Sequence, residues 1–104
     1  MMAKSIMCDT LTITPKSGNG AYGPVYGVEY TVNAYVEAGY KRVVNQTGQE
    51  VVASLFAICA ADFAGHVGDK VAFEGRNYEI VDVQPFREGR RVHHSEVYLQ
   101  SIAG

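Results

Sequence analysis

The stretch Gly68 to Gln84, GDKVAFEGRNYEIVDVQ, decides how this chain is read. Two short runs meet at Glu74-Gly75-Arg76, with apolar side chains at Val71, Phe73, Tyr78, Ile80, Val81 and Val83. Apolar residues at a spacing near two, bounded by glycine turns, indicate a β-hairpin with one face turned to a core. Gly68-Asp69 and Glu74-Gly75 supply the turn chemistry. The second run has a natural partner in Val92 to Leu99, where Val97 and Leu99 alternate with His94, Glu96 and Tyr98.

The same period extends upstream. Ile6 to Thr14 reads as a strand with Met7, Leu11 and Ile13 on one face, ended by Pro15, which cannot donate to a ladder. Val28 to Glu37 alternates most cleanly, placing Val28, Tyr30, Val32, Ala34 and Val36 on one side. Gly39 marks a turn, Tyr40 to Gln46 resumes as a strand, and Asn45-Gln46-Thr47-Gly48 marks another turn. Gln49 to Ile58 is apolar on both faces, as in a strand covered on both sides. In Ala60 to Val67, Asp62 can cap at most one helical turn before Gly65. Pro85 to Arg90 reads as a charged loop. Lys16 to Gly27, KSGNGAYGPVYG, holds four glycines and a proline and is expected to form a mobile loop without regular structure. The expected fold is mainly β: one domain over residues 1–104, a small barrel or sandwich of about six to seven antiparallel strands with this long Gly-rich loop.

Composition narrows the function classes. The 104 residues have a formal net charge of −2, without the basic excess of a domain that works by neutralising phosphates. The apolar run Leu55 to Ala61 is too short to span a bilayer, so no membrane role is expected. Two cysteines make no disulfide framework, and no signal-peptide order opens the chain, which points to free thiols in a reducing cytoplasm.

Several residues invite chemistry and are better explained without it. Gly18, Gly20 and Gly23 spell G-x-G-x-x-G, but Pro24, Gly27 and a strand follow where a dinucleotide site needs a helix, so no cofactor is expected. His93 and His94, with His66 as a possible third ligand, suggest a metal. Adjacent residues on a strand point to opposite faces, however, and no Cys or carboxylate stands at a zinc-like spacing, so no metal is expected. Cys59 lies in the apolar setting Phe56 to Ala61, which raises a thiol pKa and argues against a nucleophile, and no catalytic residue is assigned. Arg87, Arg90 and Arg91 form either a solvated hairpin tip or a contact between subunits. Among the seven tyrosines, Tyr30 and Tyr78 fit the core, whereas Tyr22, Tyr26, Tyr35 and Tyr40 suit a protein–protein surface.

The C-terminal half resembles the head–tail connector (head-closure, or stopper) proteins of tailed bacteriophages. The resemblance rests on Glu50-Val51-Val52-Ala53, on Val67-Gly68-Asp69-Lys70-Val71 leading to Glu74-Gly75-Arg76-Asn77-Tyr78-Glu79-Ile80-Val81-Asp82-Val83, and on His94-Ser95-Glu96-Val97-Tyr98-Leu99. It implies a non-enzymatic virion protein: a homo-oligomeric ring of small barrels, bound to portal or adaptor proteins of the head and to tail or tail-completion proteins. DNA would pass through it without sequence-specific binding. It also implies a channel-facing loop, here Gly18, Asn19, Gly20, Tyr22, Gly23 and Tyr26. The residue types themselves make Tyr35, Tyr40, Arg87, Arg90 and Arg91 the candidates for a subunit or partner interface. A tail-terminator ring and, further off, a small-barrel nucleic-acid-binding module remain the alternatives.

Overall fold

A computed structural model describes residues 9–20, 23–44, 48–89 and 91–102. They form eight strands: β1 (Asp9–Thr14), β2 (Lys16–Gly20), β3 (Gly23–Tyr26), β4 (Tyr30–Val44), β5 (Glu50–Ala60), β6 (Lys70–Phe73), β7 (Arg76–Glu88) and β8 (Arg91–Ser101). Six of them close an antiparallel barrel in the order β1-β4-β5-β8-β7-β6, while β2 and β3 pair as a separate ribbon. Among the described residues there is no helix.

The β6–β7 hairpin turns where the sequence indicates. Phe73 pairs with Arg76, so the loop is the two residues Glu74 and Gly75, both with positive φ (49° and 75°). That is the type I′ geometry whose twist matches the flanking strands. Val71, Tyr78 and Ile80 from this hairpin are buried with Leu11 and Ile13 of β1, Leu55, Ala57 and Cys59 of β5, and Val97 and Leu99 of β8. Phe63 packs against the same core from the loop after β5. Its ring lies so near Gly65 that a Cβ there would come within 2.4 Å of it, so a side chain at 65 would displace the ring.

Five expectations change. Lys16–Gly27 is not an irregular loop: β2 and β3 pair from Lys16↔Tyr26 to Gly20↔Gly23. In a two-stranded ribbon each strand has a free edge, so Pro24, opposite Asn19, can turn its donor-less side outward. Gly39 does not end a strand; β4 continues to Val44, and Gly39 (φ 153°) falls within a bulge between Ala38 and Lys41. Val28 is 88% exposed and precedes β4 rather than joining its inner face. Pro85 to Glu88 continues β7, with the turn at Gly89 (φ 65°). Ala61 to Val67 contains turns and no helical turn.

Barrel closure depends on β1. It pairs with β4 over Asp9↔Ala34 to Ile13↔Tyr30, and with β6 only over Thr12↔Ala72 to Thr14↔Lys70. Asp69 reinforces this short seam. Its buried carboxylate accepts from the Lys16 backbone N–H through Oδ1 and from the His66 N–H through Oδ2, both at 2.9 Å. Its backbone carbonyl accepts from Ile80 N–H, and Gly68 N–H donates to the Ile80 carbonyl. Hydrogen bonds to a charged acceptor contribute about 1.5–3 kcal/mol each, so Asp69→Ala should lower stability by about 2–4 kcal/mol. Asp69→Asn should cost less, because its amide oxygen still accepts one bond. Urea denaturation checks this; equal midpoints for parent and Asp69→Ala would contradict it.

Candidate functional site

The glycine-rich hairpin leaves the barrel at the rim where β1 ends and β4 begins. Its base is held on three sides. Gly27 N–H donates to the Pro15 carbonyl at 2.7 Å, and Lys16 N–H donates to Asp69. The Lys70 ammonium lies 4.7 Å from the centroid of the Tyr26 ring, a cation–π contact. Gly18, Asn19 and Gly20 lie on β2 and Gly23 on β3, so the G-x-G-x-x-G spacing belongs to a ribbon and not to a helix start. Tyr22 lies outside the described residues, as does the side chain of Asn19.

The other candidates are spread around the barrel. Arg87 is exposed near the end of β7. Arg90 lies outside the described residues, as do the side chains of Tyr40 and Arg91. Tyr35 is half-buried on β4, and its hydroxyl donates to Glu37 Oε1 at 2.9 Å. Beyond the bulge at Gly39, β4 and β5 continue as an arm that carries the exposed Val44 and Val52 and an ion pair of Arg42 with Glu50 (3.6 Å). The arm extends from the end of the barrel opposite the glycine hairpin, because β4 runs from Tyr30 beside Ile13 past Ala34 beside Asp9.

The outer face of β5, β8 and β7 departs most from sequence reasoning. Register stacks Phe56, Tyr98 and Asp82 in one rank, Ile58, Glu96 and Gln84 in the next, and Ala60, His94 and Phe86 in a third. Tyr98 and Asp82 are buried although they face away from the barrel interior. Asp82 Oδ2 accepts from Gln84 Nε2 at 2.6 Å, while Oδ1 has no partner among the described residues. Tyr98 packs on Phe56 and donates to Glu96 Oε1 at 3.2 Å. His93 and His94 do not point to opposite faces. Phe86 pairs with His94 but Arg87 with Val92, so His93 is the extra residue of a β-bulge. The two Nδ1 atoms come within 3.1 Å of each other. The exposed Phe86 stacks on His94 with ring centroids 4.9 Å apart.

At the glycine-hairpin rim, a cleft of about 300 Å³ is lined by Tyr30, Val32, Asn33, Cys59, Asp62 and Phe63, among others. Burial pushes the Cys59 thiol up to about 12, which keeps it protonated and unreactive as a nucleophile at neutral pH. The Tyr30 hydroxyl is also raised, first by burial, then by the charges of Asp69 and Cys59. Asp62 and His66 are exposed.

No protein-family model matches the chain, and no curated protein matches it.

Raised acids keep their protons in the fold and lose them in the unfolded chain. The contribution of these two groups to stability should therefore be level below about pH 9 and be lost as pH rises from there towards about 12. Cys59→Ala should flatten part of that slope and leave the share due to Tyr30. Denaturant midpoints measured from pH 7 to 11 check this, and parallel slopes for parent and variant would contradict the role given to Cys59.

Proposed function

We propose that this chain is a structural virion protein that joins the head of a tailed bacteriophage to its tail, as a homo-oligomeric ring around the DNA channel. The observation that carries the reading is a barrel closed within one chain, from which two hairpins extend at opposite ends. A closed barrel leaves few edge strands for non-specific pairing. The hairpins give each subunit two reaching elements, the arrangement needed to contact a neighbour and a channel together. The longest dimension, 44 Å against 29 and 26 Å, fits an elongated wedge rather than a sphere. The resemblance of Val51 to Leu99 to connector proteins supplies the place of assembly.

In this reading the β2–β3 ribbon narrows the channel. Its glycines bring backbone close to the axis, and its scarcity of charge lets DNA slide past. Portal or adaptor proteins sit on one side of the ring and tail-completion proteins on the other. The protein works in the virion after assembly in the host cytoplasm, and its role is architectural rather than catalytic. The exposed Phe86 beside Arg87 offers the mixed aromatic and arginine chemistry found at protein interfaces. Arg87 is assigned to the contact with the neighbour, with Arg90 as a further candidate for it.

Co-sedimentation decides between the head and tail positions. The purified chain should pellet with tailless, DNA-filled heads and reduce their DNA leakage. Attachment to headless tails alone would favour a tail terminator, and a chain that joins neither and stays monomeric would overturn both. Arg87→Glu, at an exposed position, should keep the parent's stability to within about 0.5 kcal/mol, as surface substitutions usually do, yet bind heads at least tenfold less.

A further inference from the structure

We infer that His93 and His94 form a binding site for one borderline divalent transition-metal ion of the zinc, copper or nickel type. The two Nδ1 atoms stand 3.1 Å apart. An ion about 2.0–2.1 Å from each nitrogen, the usual zinc–imidazole distance, would subtend roughly 95–102°. That angle lies between the square and tetrahedral values, so one ion can bridge both rings with small rotations. The ring planes stand at 80° to each other, which lets both lone pairs turn to a common point without a clash between the rings.

The bulge at His93 brings the pair together, since it places neighbouring side chains on one side of β8. The surroundings select the nitrogen. Glu96 Oε2 lies 3.6 Å from His94 Nε2 and favours the proton there, leaving Nδ1 as the lone pair. Tyr98 donates to the other oxygen of Glu96 and holds the carboxylate in place. This is the order of carboxylate, imidazole and metal that orients ligand histidines in metalloproteins. The Phe86 ring stacked on His94 restricts its rotation.

In the metal-free protein one Nδ1–H donates to the other Nδ1. An incoming ion displaces that proton, which the ring takes up again at its free Nε2 through solvent, so two neutral imidazoles bind the ion with no net loss of a proton. Among the described residues no third His, Cys, Asp or Glu joins the pair, and water completes the shell. An all-nitrogen protein donor set disfavours magnesium and calcium, which prefer oxygen.

The test is a Zn²⁺ titration of the full chain at pH 7.5, read by long-range ¹H–¹⁵N spectra of the imidazoles, with Mg²⁺ as control. The Nδ1 resonances of His93 and His94 should shift together and saturate at one Zn²⁺ per chain, while His66 stays unmoved. His94→Ala should weaken binding at least tenfold by calorimetry. Glu96→Gln should weaken it about 10–100-fold, the usual range for an outer-shell partner. Unmoved His93 and His94 resonances, a shift confined to His66, or parent-like affinity in a folded His93→Ala/His94→Ala variant would each overturn the site. If a variant fails to fold, the spectra of the parent protein decide alone.

Discussion

The barrel depends on one carboxylate at its shortest seam. β1 must pair on both sides for the sheet to close, and on the β6 side it has three residue pairs to do so. Asp69 adds to that seam from outside the ladder. It ties the start of β2 to the turn before β6, and its backbone is tied to β7 through Ile80. A charged acceptor buried without donors would be costly. The two backbone N–H groups that satisfy it therefore fix both the path of the chain leaving β1 and the turn entering β6. The glycine hairpin inherits its anchor from the same group.

Three bulges then shape what the closed barrel presents. The bulge at Gly39 separates the barrel part of β4 from its arm. Val81 is the extra residue where Ile80 pairs with Leu99 and Asp82 with Tyr98, which sends Asp82 to the outer face. His93 is the extra residue near the tip of β7 and β8. Each re-aims side chains that strict alternation would place elsewhere, a common use of bulges.

These bulges explain what was legible and what was not. The core was legible because it depends on spacing within single strands: Leu11 and Ile13, Tyr78 and Ile80, Val97 and Leu99 alternate in sequence and are buried. The Glu74-Gly75 turn was legible because positive φ at two successive positions leaves few residue choices. Bulges are properties of register between strands distant in sequence, and no single strand records them. For that reason Gly39 read as a turn, and His93 and His94 read as facing apart. The ribbon at Lys16 to Gly27 was missed on different grounds. Glycine and proline density argues against central strands but not against a pair of edges. The outward-facing yet buried Tyr98 left no local signal, since Phe56, remote in sequence, packs on it, and the outward turn of Asp82 follows from the bulge at Val81.

Fold and proposed role meet in the division of labour between barrel and hairpins. The barrel supplies a rigid unit that is complete in one chain, and the ribbon and arm supply reach at opposite ends. Electron cryomicroscopy of the joined phage particle tests this most directly. The account predicts a ring of these small barrels between portal and tail, each with its β2–β3 ribbon directed at the DNA channel. Density that puts the chain away from that joint, or that turns the ribbon outward from the channel, would contradict it.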